Sequence, residues 1–223
     1  MVEDYLSDRE QEEALRNWWR ENWRWIVGGI VLGVALLFGW FQWRDYRVDR
    51  SIEASKQYDE LKLAVSSGDA AKVAKELGDL TSEHDKSPYA QQARLLVAKM
   101  HADAAKYDEA LPLLRAVADN SKDDELASVA KLRAARILVQ QGKYDEAIGS
   151  LKVDDLGAFA AQAHEIRGDA NVAKGDETAA RAEYAAALAA ADDAQIDRNL
   201  LELKLQDVGG SAPEPAAKAG GQP

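Results

Sequence analysis

Hydrophobic and polar positions divide this 223-residue chain into two regimes. From Trp25 to Trp43 no residue is charged, whereas from about residue 47 to residue 207 apolar positions are interleaved with charged ones at helical spacing. The uncharged run has 19 residues. As a helix rising about 1.5 Å per residue it spans roughly 28 Å, close to the hydrocarbon thickness of a bilayer. The apolar part of a cleaved export signal is shorter, about 7–15 residues, and ends at a small-residue cleavage site; this run ends in "FGWFQWR". Trp18, Trp19, Trp23 and Trp25 stand before or at its start and Trp40 and Trp43 at its far end, and the rest of the chain has no tryptophan. Indole rings sit best at the headgroup level on either side of a bilayer. The pattern therefore predicts a transmembrane helix over residues 25–43. Residues 40–67 contain neither Gly nor Pro, so one helix is expected from about Trp18 to about Ser66, holding whatever follows close to the bilayer. Within the run, Gly29 and Gly33 form a small-residue pair four apart, followed by Ala35 and Gly39 with the same spacing, and such pairs let another membrane helix approach closely.

The second regime reads as helix throughout, rich in Ala, Leu, Glu, Lys and Arg and without period-2 β-branched runs. Breaks are expected at Gly68, at the "KSPY" of 86–89, at 120–122, and at Gly142, Gly157, Gly168 and Gly175. A repeat runs through these breaks. "KYDEALPLLRAV" begins at Lys106 and "KYDEAIGSLKVD" at Lys143, "KGDETAARAEYAAAL" follows at Lys174, and "SSGDAAKVAKEL" at 66–77 is a weaker earlier copy. Each is a short turn between two amphipathic helices, which makes a helical-hairpin solenoid. The organisation expected is all-α: a short acidic, amphipathic segment over 1–24, the transmembrane helix over 25–43, about four helix pairs over 44–208, and a disordered Pro/Ala/Gly tail over 209–223.

Charge and chemistry narrow the function classes. The net charge is −11, most of it in residues 44–208, so phosphate backbones are repelled and nucleic acid is an unsuitable partner. Basic residues flank the apolar run evenly, Arg9, Arg16, Arg20 and Arg24 before it and Arg44, Arg47, Arg50 and Lys56 after it. The positive-inside rule gives no orientation from such a count. With no cysteine there is no disulfide framework, thiol nucleophile or thiolate metal site. The histidines are His84, His101 and His164; "HEIRG" at 164–168 starts like a zinc-protease motif but has Gly168 where the second ligand belongs. No phosphate-binding or nucleophile-elbow loop occurs. No catalytic site, metal or cofactor is expected.

The repeat spacing resembles the tetratricopeptide repeat. In that repeat a small residue midway along the first helix admits the second helix, and Ala98, Ala135 and Gly168 match it. Ala105, Gly142 and Gly175 match the small residue at the turn, Tyr107 and Tyr144 the aromatic after it, and Ala110, Ala147, Ala180 and Ala187 the small positions of the second helix. Glu177 stands where the last unit should have its aromatic, and Leu61 where the first should have its small residue. The resemblance implies that first helices line a concave face. It carries Lys99, Arg136 and Asp169 onto that face, with Gln92, Asp103 and Gln140 nearby, as candidates for weak, sequence-tolerant contacts with extended peptide.

Taken in order, the acidic N-terminus, "LRNWWRENW", the glycine-containing apolar run ending in "GWFQW", the helical pairs and "RGDANVAKGDETAAR" resemble the YfgM family of ancillary SecYEG translocon subunits. That resemblance implies a bacterial inner-membrane protein with a cytoplasmic N-terminus and a periplasmic repeat domain. It further implies a noncatalytic scaffold that associates with SecYEG and passes secreted client polypeptides to periplasmic chaperones, notably PpiD. The residues alone also admit an anchored regulator that sequesters a response regulator, or a coordinator of envelope assembly and division.

Overall fold

The computed structural model describes residues 8–191 and 196–211, with side chains from residue 11 onward. Most of the expected tail, and the first seven residues of the N-terminal segment, lie outside the described residues. Among the described residues every regular element is helical: α1 (Asp8–Ser67), α2 (Ala70–Glu83), α3 (Pro88–Asp103), α4 (Tyr107–Asn120), α5 (Asp124–Gln140), α6 (Tyr144–Ser150), α7 (Ala160–Lys174), α8 (Glu177–Ala190) and α9 (Arg198–Asp207). Two 3-10 turns, Val153–Asp155 and Gly157–Phe159, separate α6 from α7. The chain forms two compact units, Met1–Glu53 and Ala54–Pro223.

The first unit is the N-terminal run of α1, which starts earlier than the sequence predicts. Its large apolar side chains point outward: Trp25 is 83% exposed and Phe38 69%. A Cβ built on Gly28, Gly29, Gly33 or Gly39 would meet nothing within 4 Å. Four glycines cost an isolated helix in water on the order of 1 kcal/mol each. In lipid the balance changes, because every backbone N–H and C=O must then be satisfied within the helix itself. Among the described residues one helix is long and apolar enough to cross a membrane, and none of its apolar window is buried.

The second unit is a succession of hairpins in which the end of α1, α3, α5 and α7 are the first helices and α2, α4, α6 and α8 the second. Their turns share one geometry. Gly68, Ala105, Gly142 and Gly175 all have positive φ, between 55° and 85°. In each, the left-handed residue donates its N–H three residues back and its successor donates five back: Gly68 to Val65 and Asp69 to Ala64, Gly142 to Val139 and Lys143 to Leu138, Gly175 to Val172 and Asp176 to Asn171, all within 2.9–3.2 Å. This pair of hydrogen bonds satisfies two of the carbonyls a helix C-terminus otherwise orphans. Glycine reaches such φ at no steric cost, whereas Ala105 (φ 55°) does so against its own Cβ. The second helices then start in two ways. Asp69 and Asp176 cap α2 and α8 by accepting the Lys72 and Ala179 amides. Lys106 and Lys143 make no side-chain cap, but Asp108, Glu109, Asp145 and Glu146 place negative charge in the first turns of α4 and α6, against the helix dipole.

Buried side chains form successive clusters, each shared between adjacent hairpins. Ala54, Leu61 and Ala64 pack with Val73, Leu80, Ala90, Ala93 and Val97. Ala98, Ala110, Leu114, Val117, Ala130, Ile137 and Ala147 follow, then Ala135, Leu151, Leu156, Ala163 and Ile166, then Ala180, Tyr184, Ala187, Leu188, Leu201 and Leu205. Stability in such an array is built from neighbour to neighbour. Small surface ties repeat as well: Gln141 and Lys174, each just before a turn glycine, donate to Asp108 (2.9 Å) and Asp145 (2.5 Å) of the preceding hairpin.

The structure corrects one expectation and adds detail to others. Gly168 does not break a helix; it lies in the middle of α7 and is buried. The fourth turn falls on Gly175, where the repeat pattern expects it, 33 residues after Gly142 and following two steps of 37. The third hairpin is stunted: α6 has only 7 residues, and the chain leaves it beyond Gly149 and Ser150 to sink Leu151 and Leu156 between α5 and α7. Finally, α9 adds half a repeat beyond the four pairs. It is capped by Asp197 and packs on α8 through Leu201 and Leu205.

Candidate functional site

The sequence-derived packing positions fall in the hairpin interiors. Ala98, Ala110, Ala135, Ala147, Ala180 and Ala187 are at most 1% exposed, Tyr107 and Tyr144 are half-buried, and Gly142 and Gly175 sit at exposed turns. The residue seven before each left-handed position packs in one interior with the residue nine after it: Gly168 lies directly against Tyr184, and Ala135 with Leu151, Ala98 with Leu114 and Leu61 with Leu77 share a cluster. Gly168 admits the larger Tyr184 where Ala135 and Ala98 admit Leu151 and Leu114, a volume exchange that the first hairpin, with Leu61 and Leu77, does not follow.

The face carried by first helices α3 and α5 is different in character. Gln92, Lys99, Asp103, Arg136 and Gln140 are all exposed, and Lys99 donates to Asp103 at 2.6 Å. Between α3 and α5 lies an open cleft of about 290 Å³. Its floor is Ala98, Ala102, Leu114 and Ile137, and its rim is Lys99, Arg133 and Arg136. The structure thus brings Lys99 and Arg136 to one cleft and adds Arg133, a neighbour three residues away on the same helix face that the repeat pattern did not single out.

Asp169 does not join them. Its carboxylate accepts the Tyr184 hydroxyl at 2.8 Å and the Lys204 ammonium at 2.8 and 2.9 Å, and Lys204 also reaches Glu165 at 2.7 Å. This network fastens α9 onto α7 and α8. Burial pushes the Tyr184 hydroxyl well above the usual tyrosine range, and the adjoining Asp169 carboxylate pushes in the same direction. For Lys204 burial acts downward, but hydrogen bonds to Asp169 and Glu165 and their charges outweigh it, so its pKa is raised. No sequence offset could pair Asp169 with a lysine 35 residues later; only the return of α9 does.

The three histidines are not brought together. His84 is buried at the end of α2, His101 faces Glu109 at 2.8 Å, and His164 faces Glu183 at 2.7 Å, an acid that Arg167 shares. On α1, Trp18, Trp19, Trp23, Trp25, Trp40 and Trp43 are all exposed, between 42% and 83%. Arg24 lies over the Trp23 ring (5.9 Å) and Arg47 over Trp43 (4.8 Å), so cations accompany the indoles at both ends of the apolar run.

Comparison with known proteins agrees with this architecture. The family model of the tetratricopeptide repeat-like domain matches residues 16–210. A Haemophilus influenzae protein named ancillary SecYEG translocon subunit is 30% identical over 205 residues, covering 92% of this chain and 99% of its own. Proteins of the same name from Escherichia coli (28% identical, 93% of this chain and 99% of its own) and Neisseria gonorrhoeae (25%, 92% and 98%) align over the same extent. No solved structure matches the chain. With both its apolar helix and its repeats inside these alignments, the chain belongs to the family of ancillary SecYEG translocon subunits, and its fold is tetratricopeptide repeat-like.

Proposed function

We propose that this chain is a noncatalytic, membrane-tethered scaffold of the SecYEG translocon. Residues 25–43 of α1 cross the bacterial inner membrane, the N-terminus lies in the cytoplasm and the repeat domain in the periplasm. There the exposed face of α3 and α5 meets segments of secreted polypeptide and hands them on to periplasmic chaperones, PpiD among them. The observation that carries this reading is the alignment of both parts, apolar helix and repeats, with relatives named for the translocon. The unburied apolar window of α1 supports insertion, and the four-residue spacing of Gly29 and Gly33 suits close approach of another helix. The repeat domain supplies surfaces for contact.

Topology is tested with paired reporters, alkaline phosphatase and a fluorescent protein, fused in turn before residue 8 and after residue 211. Phosphatase activity only at the C-terminal fusion is expected. Activity only at the N-terminal fusion would place the repeat domain in the cytoplasm and overturn the hand-off.

A further inference from the structure

We infer that the cleft between α3 and α5 recognises an extended polypeptide segment in which an apolar side chain is flanked by carboxylates. The inference deepens the scaffold reading above and rests on it for the identity of the partner as polypeptide.

Two features of the cleft point to such a segment. Its floor is apolar: Ala98, Leu114 and Ile137 are otherwise buried, at most 6% exposed, yet they line an opening of about 290 Å³. That space receives an aliphatic or aromatic side chain and excludes water from it. Its rim is cationic. Arg94, Arg115, Arg167, Arg181 and Arg198 of the repeat domain each have a partner: Asp85, Glu146, Glu183, the Val208 carbonyl and Glu202. Arg133 and Arg136 have none among the described residues, although they are the two that share a helix face on the cleft. In a domain with an excess of acids, two arginines three residues apart on one helix, neither paired among the described residues, are a departure from the surroundings. Beside an apolar floor, where water is displaced, a carboxylate placed against them gains more than at an open surface.

Charge complementarity therefore favours an acidic ligand, and the floor requires that it also bring an apolar group. The rest of the domain repels polyanions, so a long nucleic acid is not accommodated. The acidic surroundings also impose a register: a segment too rich in acids is repelled beyond the rim, and one without them gains only the floor.

The test uses the full chain in nanodiscs of zwitterionic lipid and short fluorescein-labelled Gly/Ser peptides with a central Glu-Leu-Glu, Gln-Leu-Gln or Glu-Ser-Glu, read by fluorescence anisotropy at low ionic strength. The Glu-Leu-Glu peptide should bind, with each of the other two about tenfold weaker. Arg133→Gln with Arg136→Gln should lose about tenfold for Glu-Leu-Glu alone while keeping wild-type circular dichroism. Ala102→Trp, which fills the floor and leaves the arginines, is a second variant and should weaken both leucine peptides. Equal binding of Gln-Leu-Gln, wild-type affinity in the arginine variant, or displacement of the peptide by phosphatidylglycerol vesicles (a lipid occupant) would each overturn the inference. Recovery of SecYEG with the same nanodisc-forming chain reads the scaffold function separately, so loss of one is distinguishable from loss of the other.

Discussion

The Tyr184 ring of α8 occupies the space that a side chain on Gly168 of α7 would fill. A Cβ at residue 168 would lie 2.3 and 2.5 Å from two ring carbons of Tyr184. The ring is 3% exposed and its hydroxyl is held by Asp169, so it has no free direction in which to move. Gly168→Ala should therefore destabilise the repeat domain by about 1–3 kcal/mol despite alanine's better helix propensity. Adding Tyr184→Leu recreates the Ala–Leu combination found at 135/151 and 98/114. The double variant should recover part of the loss, less the hydroxyl's bond to Asp169. Denaturant titrations of the four proteins of the cycle check this: additive losses would mean the two residues are not coupled.

The turns give a prediction of opposite sign. Ala105 is the non-glycine residue with positive φ among the described residues, in a turn otherwise equivalent to those of Gly68, Gly142 and Gly175. Ala105→Gly should stabilise by about 0.5–1 kcal/mol, and Gly142→Ala should cost about 1 kcal/mol. A thermal melt in which Ala105→Gly lowers the midpoint would mean that the lost chain stiffness outweighs the relieved strain.

The fastening of α9 should fail in alkali. Tyr184 and Lys204 both have folded-state pKa values raised above their ordinary values of 10.0 and 10.5. Each therefore contributes stability that is complete below its ordinary value and is lost as pH rises through the raised one. Unfolding midpoints should be flat from pH 7 to about pH 9 and fall above pH 10. Lys204→Met leaves Asp169 and Glu165 facing each other without a cation. It should cost about 1–2 kcal/mol at neutral pH and make the alkaline fall shallower. An unchanged alkaline slope in that variant would assign the fall elsewhere.

Much of this organisation is legible in the sequence because it is local. A 19-residue uncharged run bordered by tryptophans, and turn residues followed by acids, are patterns of neighbours, and they predicted α1 and the hairpin turns. The features that were not legible depend on what lies opposite. Gly168 looks like a helix breaker until Tyr184 is seen against it. Asp169 occupies a concave-face position by repeat arithmetic, yet Lys204 returns on α9 and takes it. Arg133 is one more exposed arginine along α5, and only the unpaired state it shares with Arg136 and the apolar floor beside them set it apart. The shortness of α6 comes from Leu151 and Leu156 finding a better place between α5 and α7 than a longer helix would give them.

Within the membrane the small residues of α1 should matter for association and not for insertion. Gly29→Leu with Gly33→Leu raises apolarity, so carbonate-resistant membrane integration should be unchanged. The bulk should hinder close approach of another helix and reduce recovery of translocon subunits several-fold. Full recovery would make the two glycines ordinary residues of an anchor.

The claim that this chain works at the translocon is tested most directly by photo-crosslinking from the membrane helix in native membranes. A photoreactive residue is placed at Ala35, beside Gly39 on the same face, in the full-length chain at native abundance. Adducts with SecYEG subunits are expected, and they should diminish when Gly29 and Gly33 are both replaced by Leu. A fully inserted chain that forms no such adduct, and instead crosslinks or co-purifies only with a response regulator or with division and cell-wall proteins, would contradict it.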